Sequence, residues 1–220
     1  AVILYEDQEP HRIALVHSKA DPPGPDGKEG KPEGDDLPGG GDEGEETLFE
    51  TVMREVQEEA GIAIKHQEFE PLPGVSIKLP TIIGPYEDGA FVCEPKPWTT
   101  PFPNTVWTFL LEPLDNKLRK VSEVNETSRV MFATLEDILT APLAIKKAGR
   151  VIIEENRAGI YFSTRKRIVA ALHAAGKNFC ELVPNLSELI CKIKRDEVGD
   201  YVHDVLCGAL QVAGYNVIVR

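Results

Sequence analysis

The sequence predicts an α/β fold in which helices and strands pack in layers. One amphipathic helix is expected over residues 47–60, and short β-prone runs lie on both sides of it, at residues 1–5, 12–18, 106–111 and 129–133. Strands that alternate with helices along a chain bury their apolar surfaces against each other as a layered α/β domain. A chain of 220 residues can form one such domain of about 150 residues plus an appendage.

The N-terminal region is predicted as a hairpin followed by a long insert. Residues 1–5 and 12–18 are separated by the turn-rich DQEP at residues 7–10, which favours pairing of the two runs. Residues 19–36 are almost wholly proline, glycine and charged residues, so we expect a flexible loop insert there. Plain disorder and a lid over a neighbouring site both fit this composition.

The central helix is predicted over residues 47–60, where Leu48, Val52 and Val56 form an apolar stripe at four-residue spacing. Gly61 supplies its C-terminal stop. Any amphipathic surface helix has such a stripe, so the stripe by itself assigns no function.

Proline-containing segments separate this helix from the later strands. Residues 69–79 are interpreted as strand material, and residues 84–104, with five prolines, as loop rather than regular structure. Residues 106–111 (VWTFLL) predict a buried strand. Residues 129–133 predict another strand, and Thr134 is the candidate N-cap of a short helix that follows.

A mostly helical extension is expected after Gly149. We divide the chain into a first domain, residues 1–150, and an extension, residues 151–220, which begins with a hairpin at residues 151–163. The extension is predicted to hold three helices, near residues 164–175, 185–195 and 198–213, with breaks at Gly176 and Pro184.

The charge balance excludes some classes of partner. A net charge of −12 argues against a protein that coats nucleic acid or binds anionic membranes. Residues 163–196 are locally basic, with seven basic and three acidic side chains. A basic helix near an active site can hold polyphosphate or RNA, and a solvated face packed on an acidic domain has the same charge pattern.

The compartment is expected to be the cytoplasm. The chain has no run of 18 apolar residues and no N-terminal segment with the pattern of a signal peptide. Its four cysteines are widely spaced and lack zinc-finger spacing. We therefore expect a cytoplasmic protein with reduced thiols and no membrane span.

An acidic cluster and a glycine-rich segment stand together at the central helix. Glu55, Glu58 and Glu59 share one patch of its surface, where like charges repel by about 0.2–0.5 kcal/mol for each pair. A solvated acidic face is the ordinary explanation; the alternative is a bound cation such as Mg2+, which bridges carboxylates to phosphates. Residues 37–41 (LPGGG, the glycine loop) precede the helix and let the backbone approach an anionic ligand.

The segment from residue 40 to residue 62 resembles the Nudix box, G-x5-E-x7-R-E-U-x-E-E-x-G-U with U an aliphatic residue. All nine specified positions are filled, by Gly40, Glu46, Arg54, Glu55, Val56, Glu58, Glu59, Gly61 and Ile62. The resemblance covers roughly residues 1–150 and implies a Nudix-type α/β/α sandwich with a mixed β-sheet, followed here by a C-terminal helical extension. One local departure is the Gly44-Glu45 pair, where relatives often carry Pro-Gly.

The resemblance implies a cofactor and its ligands. Mg2+ or Mn2+ would be held by the box carboxylates, with a backbone carbonyl as a further ligand and one outer carboxylate. In that order, the implied metal residues are Glu55, Glu58, Glu59, Gly39 and Glu46.

The same resemblance implies catalytic and substrate-binding roles. Glu55, Glu58 and Arg54 would act in catalysis, Arg54 by orienting the carboxylates four residues away on either side, Glu50 and Glu58. A later glutamate would be the general base, and Glu126 is favoured slightly over Glu123; a solvated loop glutamate is the alternative for each. Substrate contacts are expected at Gly40, Gly41 and Trp98.

Aromatic residues are candidates for binding a nucleobase. Trp98, Tyr86 and Phe102 lie in the proline-rich segment and can stack on a base. The alternative for Trp98 is a loop anchor, and Trp107, inside a predicted strand, is expected in the core.

The implied reaction is metal-dependent hydrolysis of the pyrophosphate bond in a nucleoside diphosphate linked to another moiety. Ile77 and Lys78 stand where some ADP-ribose hydrolases carry proline, and Pro80 comes two residues late. No subfamily signature that would single out a substrate is met, so a nucleotide sugar, an ADP-ribose-like compound, a nucleoside triphosphate and an RNA 5′ end stay open. The alternative functions are a non-catalytic Nudix nucleotide sensor that signals through the C-terminal helices, and an assembly protein whose extension forms a homodimer.

Overall fold

The computed structural model describes residues 1–6, 9–20, 33–41, 43–44, 46–62, 64–65, 75–76, 81–87, 90–91, 106–113, 129–144 and 159–217. The strands are β1 (Val2–Tyr5), β2 (Arg12–Ser18), β3 (Gly34–Asp36), β4 (Ile64–Lys65), β5 (Val75–Ser76), β6 (Thr81–Glu87), β7 (Ala90–Phe91), β8 (Val106–Leu111) and β9 (Arg129–Ala133). The helices are α1 (Leu48–Ala60), α2 (Leu135–Thr140), α3 (Phe162–Ala174), α4 (Phe179–Leu182), α5 (Leu186–Lys192), α6 (Arg195–Val198) and α7 (Asp200–Val212). Among these residues, none of the helices has both the length and the apolar character that a bilayer crossing requires.

Seven of the strands form one mixed sheet. The strand order is β3-β2-β1-β8-β6-β7, and β9 also pairs with β2. β1 and β8 run parallel, and the other pairs in this sheet run antiparallel. The predicted N-terminal hairpin is confirmed, since β1 pairs with β2 with Leu4 opposite Ile13. β4 and β5 form a separate parallel pair.

Both faces of β1 are buried, and each face belongs to a different core. Val2 and Leu4 pack with the C-terminal helices, whereas Ile3 and Tyr5 pack with Val56 of α1. This alternation follows from the strand geometry, in which successive side chains point to opposite faces of the sheet. The sheet therefore lies between two helix layers, and the predicted α/β/α sandwich is confirmed.

The C-terminal helices form one of these two layers. Ile168 and Leu172 of α3 and Leu206 of α7 lie in the same buried cluster as Val2 and Leu4 of β1. The division of the chain at residue 150 stays a prediction. The helices after residue 159 nevertheless share a core with the sheet, because that face of the sheet is apolar and needs a cover.

The buried side chain of Arg165 hydrogen-bonds α3 to neighbouring segments of this layer. Its Nε donates to the carbonyl oxygen of Ile138 at 2.9 Å, its Nη1 donates to the carbonyl of Glu197 at 3.0 Å, and its Nη2 donates to the carbonyl of Ala141. Burial lowers the pKa of Arg165 to about 10. The guanidinium stays charged at neutral pH, and its carbonyl partners offset part of its desolvation.

Several local predictions are confirmed at the helix ends. Gly61 ends α1 with a left-handed φ of 61°, as predicted, whereas Thr47, predicted as the first helical residue, is the N-cap and forms a capping box with Glu50. Thr134 is the N-cap of α2 and forms a second capping box, with Asp137. These ends follow from short-range hydrogen bonds, which is why the sequence alone reveals them.

The end of the predicted loop insert at residues 19–36 is a strand instead. Gly34–Asp36 form β3 and pair with β2, with Asp36 opposite Val16. The polar composition concealed this strand, since its pairing depends on the β2 edge rather than on its own side chains. Residues 21–32 lie outside the described residues.

The proline-rich segment at residues 84–104 also begins as strand rather than loop. β6 extends to Glu87 and β7 follows at residues 90–91. Pro85 falls between Ile83 and Tyr86, where the pairing of β6 with β8 shifts register. A proline lacks the N–H that a sheet ladder needs, so such an irregularity is where a strand tolerates it.

The C-terminal region differs from its prediction in two places. Residue Ile160 makes isolated bridges to Asp35 and Leu143, and α3 already begins at Phe162, so residues 160–163 do not form a hairpin strand. The proposed partner, residues 151–155, lies outside the described residues. The short helices α4 and α6 were not predicted, because four residues carry too little periodicity to be read from sequence.

Gly159→Ala is expected to destabilise the fold by about 1–3 kcal/mol, the usual cost of overpacking. A Cβ at residue 159 would lie 2.6 Å from the amide nitrogen of Ala144 and 2.8 Å from its Cα, and backbone has little room to move. Urea unfolding measures the change in free energy of unfolding.

The matched control is Gly208→Ala in α7, where an added Cβ meets open space. This variant should gain about 0.5–1 kcal/mol, because glycine inside a helix is unfavourable. A Gly159→Ala protein as stable as the wild type would contradict the close packing described at residue 159.

Candidate functional site

Arg54, on α1, is the centre of a cluster of carboxylates from the helix and from the residues just before it. Its Nε donates to Glu46 Oε1 at 2.9 Å and its Nη2 donates to Glu46 Oε2 at 3.1 Å, so the two side chains form a forked pair. Its Nη1 donates to Glu55 Oε1 at 3.0 Å and to Glu58 Oε2 at 3.1 Å. Glu43 lies further off, at 3.7 Å from Nη1. One cation therefore contacts several of the acidic side chains that the box supplies.

Glu46 is the carboxylate most strongly committed to Arg54. The hydrogen bonds from Arg54 hold the pKa of Glu46 below its usual range. The predicted contact of Arg54 with Glu58 is present, whereas Glu50 caps the helix instead: it accepts from the Thr47 hydroxyl at 2.7 Å and from the Thr47 N–H at 2.8 Å. The cap holds the pKa of Glu50 below its usual range.

The glycine loop lies directly against this cluster. The N–H of Gly39 donates to Glu59 Oε2 at 2.7 Å, and the carbonyl of Gly41 accepts from Arg54 Nη2 at 2.8 Å. An added Cβ at Gly40 would lie 2.3–2.7 Å from the carboxylate atoms of Glu55. Residue 40 must therefore be glycine for the loop and the Glu55 carboxylate to lie this close.

Glu59 carries a charge that the fold does not fully compensate. Burial raises the pKa of Glu59, and the negative charges of Glu55 and Asp36 raise it further. The hydrogen bond from the Gly39 N–H lowers that pKa but does not offset the other causes. A cation placed beside Glu59 would reverse this imbalance, because an opposite charge favours the ionised form.

The chemistry of the residues fits a hard divalent cation. Carboxylate oxygens of Glu55, Glu58 and Glu59 and the carbonyl oxygens of the glycine loop are the ligand types that Mg2+ and Mn2+ prefer. The side chain of Glu55 is 12% exposed and that of Glu58 is 53% exposed, so these carboxylates extend from the glycine loop to the solvent. In the described part of the chain, no three His, Cys, Asp or Glu side chains are already gathered as a metal site.

The structure brings together most of the residues that the sequence singles out. These neighbours are Gly39, Gly40, Gly41, Glu46, Arg54, Glu55, Glu58 and Glu59. Glu123, Glu126, Trp98 and Phe102 lie outside the described residues. Tyr86 lies in β6, opposite Phe91 of β7.

Sequence reasoning missed Asp36 as a neighbour of the site. Asp36 is the residue before the glycine loop, and its charge acts on Glu59. Its position beside the glycine loop was the only local signal, and the polar composition of residues 19–36 obscured it. Its partners on α3 are more than a hundred residues away along the chain, so no spacing rule could pair them.

Glu59→Gln is expected to raise the midpoint of thermal unfolding of the metal-free protein at neutral pH. The pKa of Glu59 is raised on folding, so its ionisation destabilises the folded state. This penalty is absent at pH values below the unfolded pKa, near 4.5, and grows as the pH rises through the folded pKa. Thermal melts in a chelator, from about pH 4 to about pH 8, measure the difference.

Glu46→Gln supplies the contrast in the same melts. The pKa of Glu46 is lowered on folding, so its ionised form stabilises the folded state, and the substitution should lower the midpoint at neutral pH. A Glu59→Gln protein that melts at or below the wild-type midpoint at neutral pH would contradict the raised pKa of Glu59.

Comparison with known proteins assigns the residues of this site to a family. A family model described as the NUDIX domain matches residues 1–154. The searches of curated proteins and of solved structures returned no match. The matched segment contains the whole glycine loop, the carboxylate cluster and the nine strands found in the described residues. The chain therefore belongs to the Nudix family.

Proposed function

We propose that this chain is a Mg2+- or Mn2+-dependent Nudix hydrolase that cleaves the pyrophosphate bond of a nucleoside diphosphate linked to another moiety. Family membership supports hydrolysis of pyrophosphate bonds in nucleoside diphosphate derivatives in general. The observation that supports this particular site is the contact of Arg54 with Glu46, Glu55 and Glu58, directly beside the glycine loop.

The carboxylates divide into two groups by their contacts. Glu55, Glu58 and Glu59 are the proposed cation ligands, with the carbonyl of Gly39 as a further ligand. Glu46 remains hydrogen-bonded to Arg54 and is proposed to orient its guanidinium rather than to bind the cation directly. A bound divalent cation supplies neutralisation of phosphate oxygens and a lowered pKa of bound water.

Arg54 orients carboxylates rather than reacting. Its guanidinium is fully used by Glu46, the Gly41 carbonyl and the two carboxylates on α1. Hydrogen bonds to these carboxylates raise the pKa of Arg54 above its already high ordinary value, so it does not exchange protons at neutral pH. Its role is to hold Glu55 and Glu58 at the face where the substrate phosphates bind.

The glycine loop is the proposed contact for the substrate phosphates. A Cβ added at Gly41 would meet nothing within 4 Å, so space for a ligand adjoins the loop at that residue. Backbone N–H groups that face such space bind anionic oxygens without a bulky side chain. Gly40 and Gly41 are therefore proposed to contact the pyrophosphate.

The proposed general base and the proposed stacking residue for the nucleobase are those that the sequence analysis identified. Glu126, or else Glu123, is the proposed general base, and Trp98 is proposed to stack on the nucleobase. A nucleotide sugar, an ADP-ribose-like compound and a nucleoside triphosphate are the proposed substrate classes. Non-catalytic Nudix sensors generally lose box glutamates, and this box retains them all, which argues against the sensor alternative.

Glu58→Gln is expected to abolish phosphate release from every nucleotide that the wild type hydrolyses, because an amide is a poor ligand for Mg2+. The assay couples hydrolysis to a phosphatase and uses ADP-ribose, sugar nucleotides, dinucleoside polyphosphates and nucleoside triphosphates, each with Mg2+ or Mn2+. The preferred member of the panel identifies the substrate class.

The matched control is Glu188→Gln on α5. Glu188 is also an exposed helical glutamate, and it pairs with Lys192 at 3.7 Å, an interaction worth less than about 1 kcal/mol. It should keep wild-type turnover. Hydrolysis that survives Glu58→Gln, or wild-type protein that binds nucleotides without turning any of them over, would overturn the proposed function.

Gly40→Ala is expected to reduce kcat/KM by about tenfold or more with little change in stability, because small misplacements of catalytic groups are costly. The new Cβ would displace the Glu55 carboxylate, which is the movable end of a flexible side chain. Kinetics and a thermal melt on the same preparation separate the two effects. A loss of folding equal to the loss of activity would show that residue 40 serves packing instead.

A further inference from the structure

Asp36 joins the C-terminal helices to the glycine loop. It is the last residue of β3 and stands immediately before residues 37–41. Its Oδ1 accepts a hydrogen bond from the N–H of Leu37 at 2.8 Å, from Arg167 Nη2 at 2.8 Å, and from the hydroxyl of Thr164. One carboxylate oxygen thus links the first amide of the loop to two side chains of α3.

The backbone brings the start of α3 to the same place. The N–H of Asp35 donates to the carbonyl of Gly159 at 2.8 Å, and the N–H of Tyr161 donates to the carbonyl of Asp35 at 3.4 Å. A Cβ added at Gly34 would lie 2.8 Å from the Gly159 carbonyl. β3 and the residues that lead into α3 are therefore in direct backbone contact, and Thr164 lies within the first turn of the helix.

The contact at Asp36 is shielded from solvent. The side chain of Arg167 is 22% exposed and that of Asp36 is 14% exposed. An ion pair in such surroundings is screened less than a surface pair, and removing one partner leaves a charge without compensation. The three donors on one oxygen also restrict how the carboxylate can rotate, so Asp36 is held in a single orientation.

The residues after Asp36 carry the contacts of the proposed site. Gly39 donates its N–H to Glu59, and Gly41 accepts from Arg54. Gly39 is only three residues from Asp36, so a displacement of Asp36 would also displace Gly39. The Asp36 end therefore sets one limit on the path of the loop and, through the Gly39 N–H, on the Glu59 carboxylate.

We propose that Arg167 and Thr164 are positioning residues for the catalytic site, and that they act by holding Asp36 and so fixing the path of the glycine loop. The structural part of this inference stands on the contacts alone, and its catalytic part rests on the proposed hydrolase function. Arg167 and Thr164 lie on α3, beyond the matched segment at residues 1–154, so this assigns the C-terminal helices a part in the site.

Hydrogen exchange at the Gly39 amide tests the positioning without any substrate. In the wild type this exposed amide is bonded to Glu59, so its exchange rate reports how fully the loop keeps that hydrogen bond. Arg167→Gln should speed its exchange about tenfold or more, while amides in β1 and β8 keep their protection. Thr164→Val removes one hydrogen-bond donor to Asp36 and keeps the buried volume, so it should also speed exchange of the Gly39 amide, but by a smaller factor. If Arg167→Gln does not fold, Thr164→Val is the variant that tests the proposal.

Lys177→Gln is the matched control. Lys177 also joins the helical layer to the sheet region, through Glu6 at 2.6 Å and through Glu112, and it does not touch the glycine loop. A role limited to stability predicts that Lys177→Gln and Arg167→Gln have equal effects. The proposal predicts that the Gly39 amide responds to Arg167→Gln and Thr164→Val and not to Lys177→Gln.

Kinetics supply the second arm of the test. Arg167→Gln should lower kcat/KM about 10–100-fold, as is usual for groups that orient ligands, and Lys177→Gln should stay within about twofold of the wild type. If the wild type hydrolyses no nucleotide, the hydrolase assignment fails, and the exchange arm still decides the positioning. An unchanged Gly39 amide in both α3 variants overturns the proposal, whatever the kinetics show.

Discussion

The layered arrangement of this protein follows from the burial of both faces of β1. Val2 and Leu4 face one side and Ile3 and Tyr5 face the other, and all four are 2% exposed or less. Such a strand is stable only between two apolar layers. On one side α1 supplies the layer and also carries the carboxylate cluster. On the other side α3 and α7 supply it, so helices beyond the matched segment complete the sandwich.

The electrostatics of the site show why a cluster of glutamates can persist on one helix. Arg54 contacts Glu46, Glu55 and Glu58 and so offsets repulsion that the helix spacing would otherwise leave. Glu59 lies on the side of the glycine loop, where burial and neighbouring charges raise its pKa. Arg54 therefore offsets part of the negative charge at one end of the site, and the divalent cation is proposed to bind at the Glu59 end.

The part of the site that could be predicted from sequence consists of residues that are close together along the chain. The box places Arg54, Glu55, Glu58 and Glu59 on consecutive turns of one helix, and the helical repeat alone makes them neighbours. The capping residues Thr47 and Gly61 are equally local. Asp36 is different: its partners Arg167 and Thr164 are 131 and 128 positions away, and only the packing of α3 beside β3 joins them.

Sequence patterns alone indicate the α1 helix, the hairpin of β1 and β2, the strands β8 and β9, and the family to which the chain belongs. These features depend on hydrogen bonds and side-chain periodicities within a few residues. Long-range packing, in contrast, makes Gly34–Asp36 a strand and lets α3 to α7 cover the second face of the sheet. It also decided that an aspartate outside the box is bound by the C-terminal helices. The reason is that strand pairing and layer packing join surfaces far apart in the chain, and no short-range pattern records which surfaces will meet.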